Sequence, residues 1–266
     1  VTRPKGVILD IDGTILRSNQ VIPGAGETIA ELRRRGHPIV FITNALESPA
    51  EQADRLAKAG VVVSIDEIIT APQILEGYLR RNLPEAALYV ISDPPLAERL
   101  ELDFHISEDP EEIEVVIVSC DRNFDFHKLN IGFQALRRGA KFFAVNADAI
   151  CPLPDGEIPD AGAVIGALQG CSKRQVDIVF GKPSRLIAEA ALERLDKPAE
   201  ECLIIGDSLD SDLAMGFAAG MTTVLVLSGV TQRRELAYAR LQPDHVLGSI
   251  SEIFPRSFSA LSASRR

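Results

Sequence analysis

Close to the start of the chain, the aliphatic run Val7-Ile8-Leu9 meets two carboxylates, Asp10 and Asp12, and then Gly13-Thr14. A strand that is apolar at consecutive positions is buried on both faces, which is the situation of a strand inside a parallel sheet. Strand side chains alternate, so Asp10 and Asp12 are expected to leave the sheet edge on the same side. Two carboxylates crowded at the mouth of a buried strand repel each other and call for a cation or a shared proton.

The rest of the chain repeats this opening in an alternating rhythm. A helix over Glu27–Arg35, closed by Gly36, precedes an apolar strand over His37–Thr43. Ser48-Pro49 opens a helix to Ala59, Asp66–Thr70 reads as a short strand, and Pro72–Arg81 as a helix. Strand-helix alternation predicts an α/β fold with a mostly parallel sheet. The middle differs in texture. Strands over Ala87–Ser92 and Glu114–Asp121 flank an acidic stretch, a helix spans Phe126–Arg138, and Lys141–Val145 is a strand. A loop rich in proline and acids follows over Asn146–Asp160, then a helix over Ala161–Leu168. The opening rhythm returns with strands over Asp177–Gly181, Cys202–Gly206 and Thr222–Leu227 and helices between them. The expected organisation is a core of residues 1–80 and 179–266, interrupted by a second α/β unit over 81–178. The end, Ser257–Arg266, is small and polar and is expected to fray.

Composition narrows the function. The 266 residues carry a net charge of −10 with no basic tract interleaved with aromatics, which argues against a nucleic-acid partner. No apolar run approaches the roughly 20 residues that span a bilayer, and none near the start fits a signal-peptide core. The expectation is a cytoplasmic protein with no membrane partner. Cys120, Cys151, Cys171 and Cys202 are widely spaced with no C-x-x-C pair, and the four histidines are dispersed, so no Cys- or His-based metal site is predicted. Nothing in the sequence fixes the oligomeric state, and a homodimer stays open.

Ligands of open α/β sheets bind at the carboxyl ends of strands. Four apolar strands end in polar residues: Asp10-x-Asp12, Thr43-Asn44, Gly181-Lys182-Pro183-Ser184, and Gly206-Asp207-Ser208-Leu209-Asp210-Ser211-Asp212. Together they offer carboxylates, one ammonium, a hydroxyl and an amide. Carboxylates with few other donors suit Mg²⁺, which keeps waters and phosphate oxygens in its shell. The lysine would balance charge on a bound phosphate. Neither acidic stretch fits a calcium-binding EF-hand loop, since the glycine and the terminal Glu fall in the wrong places. Asp210 reads only as a favourable charge at a helix start.

Taken in order, these four motifs resemble those of the haloacid dehalogenase (HAD) superfamily, over nearly the whole chain. The insertion between Asn44 and Lys182, with Asp121-Arg122-Asn123-Phe124 and Asn146-Ala147-Asp148, is similar to the cap of the NagD-like or para-nitrophenylphosphatase-like branch (subclass IIA). That branch often has Asn-Pro-Asp at 146–148 and Pro-Gly-Ala-Gly where this chain has Pro159-Asp160-Ala161-Gly162. Both departures fall in the cap.

The resemblance implies a Rossmann-like parallel-sheet core with an inserted α/β cap of the C2 type. It implies a Mg²⁺-dependent phosphatase acting on a small phosphorylated metabolite, a sugar phosphate in particular. Asp10 would be the nucleophile and Asp12 the general acid and base. Asp10, the Asp12 backbone carbonyl and Asp207 would hold Mg²⁺, with Asp212 behind them holding a metal-bound water or Lys182. Thr43, Asn44 and Lys182 would bind the phosphoryl oxygens. Specificity would come from the cap around Arg122, Asn146 and Asp148. Phosphotransfer to another acceptor, carbon–halogen cleavage, or a non-catalytic phospho-acceptor role remain as alternatives. The acid at Asp12 argues against the last two, which have little use for it.

Overall fold

The structure is a computed structural model that describes residues 5–153 and 156–254. The end at 257–266, expected to fray, lies outside the described residues. Six parallel strands form the core sheet in the order His245–Leu247, Thr222–Val226, Cys202–Gly206, Gly6–Asp10, Ile39–Thr43 and Ile68–Thr70. The Gly6–Asp10 strand is central: Leu9 lies opposite Ile205 on one side and Phe41 on the other. From this strand the chain first builds outwards to Ile68–Thr70 and later returns to build the other half. The carboxyl end of Gly6–Asp10 is therefore the switch point where an open sheet leaves a crevice.

Burial explains the unbroken apolar runs. Val7 and Leu9 pack with Phe41, Ile205 and Val224 on one face, while Ile8 packs with Val40, Ile42 and Ile204 on the other. Alternate residues thus feed two apolar layers, as a parallel sheet covered on both faces requires.

A second parallel sheet has the order Ile178–Val179, Lys141–Ala144, Val115–Val118 and Leu88–Ile91. The fold is α/β with the two parallel sheets expected of a core and an inserted cap. The expected borders do not match the packing. The strand near 178 pairs with Lys141–Ala144 in the second sheet, with Ile178 opposite Phe143 and Val179 opposite Ala144. Gly181 continues this contact by donating its N–H to Val145 O at 2.7 Å. The chain rejoins the core at Lys182, beyond the border expected at 178. At the other border, the helix Ala71–Asn82 buries Leu75 and Leu79 against Leu88, Val115 and Phe143 of the second unit. Tyr78 packs edge-on against Phe143 and Phe180, with centroids 5.8 and 5.3 Å away.

Four further elements depart from expectation. Leu16–Arg17 and Gln20–Val21 form a small hairpin just after Asp12. Pro94–Glu101 is a helix in a stretch for which no element was predicted. Within 146–160 lies an antiparallel pair, Ile150–Leu153 with Gly156–Pro159. His245–Leu247 adds an edge strand to the core.

Phe41 is fully buried in the central layer. Phe41→Ala should cost about 3–5 kcal/mol of stability in urea denaturation. A loss near zero would contradict the packing described.

Candidate active site

At the switch point, the Asp10 side chain leaves the last position of its strand and is 2% exposed. Lys182, where the chain rejoins the core, sends its ammonium between two carboxylates, 2.5 Å from Asp10 Oδ1 and 2.7 Å from Asp212 Oδ1. The second Asp10 oxygen, Oδ2, is buried with no hydrogen-bond partner among the described residues. Burial holds the Asp10 carboxyl well above its usual range, and the Asp212 charge adds to this against the pull of Lys182. Burial pulls the Lys182 ammonium down, but Asp10 and Asp212 outweigh it and hold the lysine charged.

Asp207 follows the neighbouring strand, and its Oδ2 accepts the Val230 N–H at 2.5 Å. Its carboxylate is cradled by two glycines from distant segments. A Cβ on Gly13 would come within 2.1 Å of Asp207 Oδ2, and one on Gly229 within 1.7 Å. Gly13 also has φ +88°, which disfavours any side chain there. Ser228 joins these segments by donating its hydroxyl to Gly13 O at 2.7 Å. Burial, with Asp212 nearby, pushes the Asp207 carboxyl up to about 7.

Asp212 sits on a widened helical turn, where Leu213 N–H reaches back to Ser208 O at 3.1 Å. Such π-turns redirect a side chain without ending the helix. Here the turn brings Asp212 back over the strand end: its Oδ2 accepts Ser208 N–H at 3.1 Å while Oδ1 takes Lys182.

One carboxylate oxygen from each of Asp10, Asp207 and Asp212 lies within 4.8 Å of the others. Three buried acids, an orphaned Asp10 oxygen and a glycine-lined recess around Asp207 fit a small hard cation with oxygen ligands.

Asp12 is placed differently from the expectation. The strand ends at Asp10, so the two-residue alternation does not extend to Asp12. The Asp12 carboxylate is gripped by the Arg55 guanidinium, with Nη2 2.5 Å from Oδ1 and Nη1 3.2 Å from Oδ2. Arg55 also holds the Ser18 carbonyl and Asn19 Oδ1 in the hairpin beyond Asp12. Arg55 escapes sequence reasoning because it sits mid-helix in Pro49–Lys58 with no motif around it.

Thr43 is buried, and its hydroxyl oxygen accepts Ala45 N–H at 3.0 Å, which leaves the hydroxyl proton to be donated. The Asn44 amide is more committed than expected. Its Oδ1 accepts Lys182 N–H at 2.8 Å, and its Nδ2 donates to Lys182 O at 3.1 Å and to Asp148 Oδ2 at 2.8 Å. Asn146 donates to Asn44 O at 3.3 Å. Asn44, Lys182, Asn146 and Asp148 therefore come together where the two sheets meet. Arg122 does not join them. It pairs with Asp93, Nε to Oδ2 at 2.8 Å, with a largely exposed side chain.

A parallel-sheet core with buried acids and a lysine at its switch point, and a second sheet above, defines a capped hydrolase of the HAD type. The haloacid dehalogenase-like hydrolase family model matches residues 7–103, and a HAD-hydrolase-like model matches 179–253. The chain is 36% identical to the sugar-phosphatase AraL of Bacillus subtilis, over 94% of this chain and 92% of that protein. It is 33% identical to the ribonucleotide monophosphatase NagD of Escherichia coli K12, over 94% and 98%. The p-nitrophenyl phosphatase from Archaeoglobus fulgidus superposes with a TM-score of 0.86 at 36% identity, over 94% of this chain and 97% of that one. The chain belongs to the haloacid dehalogenase-like hydrolases. Within that family it falls in the NagD-like branch of phosphatases.

The raised Asp207 carboxyl has a stability consequence. Between its unfolded value near 4 and about 7, the folded protein binds more protons than the unfolded one, so this group's contribution falls as pH rises through that window and then levels off. The fall is about 4 kcal/mol at most, from a shift of about three pH units. Urea denaturation in chelator should show the wild type losing stability relative to Asp207→Asn between pH 4 and 7. A constant difference between the two would contradict it. Separately, Gly206→Ala would place a Cβ 2.2 Å from Asp212 Cγ, and should lower activity as strongly as Asp212→Asn in the same assay.

Proposed function

We propose that the protein is a Mg²⁺-dependent phosphatase that hydrolyses a small phosphomonoester, such as a sugar phosphate, through an aspartyl-phosphate on Asp10. The observation that carries this is the state of Asp10: buried at the switch point, one oxygen held by Lys182 and the other unpartnered. A carboxylate oxygen held in place and left without a donor is suited to attack phosphorus.

In this reading Asp10 attacks the phosphoryl group and the leaving alkoxide departs on the opposite side. Asp12 releases Arg55, protonates that alkoxide, and then takes a proton from the water that attacks the acyl phosphate. Lys182 and the Thr43 hydroxyl donate to the phosphoryl oxygens, where charge spreads in the transition state. Asn44 acts chiefly by fixing the Lys182 backbone and the cap residue Asp148. Asp212 holds Lys182 in place. Mg²⁺, held by Asp10, Asp207 and the Asp12 carbonyl, would neutralise the crowded carboxylates and phosphate charge when bound. The second sheet, with strands from Leu88–Ile91 to Ile178–Val179, serves as the cap that excludes bulk water and reads the leaving group. Asn146 and Asp148 reach the core through Asn44, while the exposed Arg122 pairs with Asp93.

Relatives named as sugar phosphatase and ribonucleotide monophosphatase, matched over almost their full length, support the reaction class. Among the described residues no helix is long and apolar enough to cross a membrane.

Phosphate release from a panel of phosphomonoesters with and without Mg²⁺ tests this reading. Turnover should require Mg²⁺, and Asp10→Asn should abolish it while the fold survives. Stable phosphorylation of Asp10 with no turnover of any ester would favour a phospho-acceptor role instead. Asp12→Asn should lower kcat by roughly 10²–10⁴ for alkyl phosphates. The loss should be smaller for p-nitrophenyl phosphate, whose leaving group needs no proton. Equal losses would remove Asp12 from the acid role.

A further inference from the structure

Both sheets are parallel, and this fixes which residues face the crevice. The strands Lys141–Ala144 and Ile178–Val179 run into Asn146 and Lys182, which touch Asn44 at the carboxyl end of the core sheet. The carboxyl ends of the two sheets therefore face one another. The neighbouring strands of the second sheet, parallel to these, end on the same side, at Asp93 after Leu88–Ile91 and at Cys120 after Val115–Val118.

That side is built of acids whose positions are locked. Asp148 Oδ2 accepts from Asn44 at 2.8 Å, and Asp148 O accepts Gly162 N–H at 2.9 Å. Asp160 caps the helix Ala161–Ser172 through Ala161 N–H at 2.6 Å, and its own N–H bonds Ala149 O at 3.1 Å. The two acids thus share one ladder of backbone bonds. Asp93 joins them across the sheet, with its N–H on Cys120 O at 2.8 Å, and Cys120 Sγ lies 4.0 Å from Pro159 O. The nearby cations are committed. Arg122 is on Asp93, Arg55 on Asp12, and Lys182 on Asp10 and Asp212.

Resting on the phosphatase reading above, we propose that the cap side of the crevice selects phosphomonoesters whose leaving group is a neutral polyol or bears an ammonium, and rejects those with a second anionic group. Ionised carboxylates only accept hydrogen bonds, so they match hydroxyl and ammonium donors. A ligand carboxylate or second phosphate on the cap side would meet the like charge of Asp148 and Asp160, where Arg122 is already paired with Asp93. Discrimination by repulsion is the stronger half of such specificity. The acids already oppose one another: burial raises Asp148, and burial with Asp148 and Asp93 nearby pushes Asp160 up to about 6.

Three ligands with one hexose skeleton and one phosphate vary only the far charge: glucosamine 6-phosphate, glucose 6-phosphate and 6-phosphogluconate. Their affinities for the Asp10→Asn protein with Mg²⁺, read by calorimetry, and their kcat/KM with the wild type are the measurements. 6-Phosphogluconate should be weaker than glucose 6-phosphate by about tenfold or more in both, and glucosamine 6-phosphate equal or better. Equal or tighter binding of 6-phosphogluconate overturns the proposal. Asp160→Asn keeps a residue that caps helices well, so the fold is retained, and it should shrink the gap between the anionic and neutral ligands. An unchanged gap would overturn the part assigned to Asp160. If none of the three, nor p-nitrophenyl phosphate, releases phosphate, the phosphatase reading fails, while the order of affinities still decides this one.

Discussion

One buried ammonium holds the centre of this molecule together. Lys182 is 4% exposed and sits between Asp10 and Asp212, which come from opposite halves of the core sheet. Neither carboxylate could stay at the strand ends without it, since two like charges in a buried place repel and each resists ionisation. Because the lysine is satisfied by one oxygen of each acid, Asp10 keeps an oxygen free. The arrangement that stabilises the buried charges is the one that leaves an acceptor available for chemistry.

The same residue ties the two sheets together. Lys182 follows directly on the chain that leaves the second sheet, and its backbone is held on both sides by the Asn44 side chain. Asn44 in turn reaches Asp148, and Asn146 returns to the Asn44 carbonyl. The second sheet is thus fastened to the core through polar contacts at the crevice itself, while Leu75, Leu79 and Tyr78 fasten it through apolar packing at the other crossing. A substrate bound in that crevice would lie against the joint between the two units.

Strand-end chemistry was the most legible part of the sequence, because an apolar run that stops in a polar residue says where a crevice is. Asp10, Thr43 and Asp207 lie at the ends of core strands or directly after them, as that argument expects, whereas Lys182 follows a strand that belongs to the second sheet. The core sheet with a second unit follows from the same alternation. What could not be read depends on partners remote in the chain. Ile178–Val179 is equally apolar whichever sheet takes it, and only the register opposite Phe143 and Ala144 decides. Pro94 and Pro95 conceal a helix start, where proline is in fact at home. The prolines at 152 and 159 disguise a hairpin, since proline is expected only at the edges of sheets. The alternation that puts Asp12 on the same side as Asp10 stops two residues before it, and its partner Arg55 carries no local signature.

The recess around Asp207 bears on how such a site tolerates change. Gly13 and Gly229 carry no reactive group, yet each leaves the room that a single methyl group would take from the Asp207 carboxylate. Hydrogen atoms at these two positions are therefore as much a part of the site as its acids. Variation at chemically inert positions would be as tightly restricted as at ionisable ones, so the footprint of the site along the chain is wider than its set of charged groups.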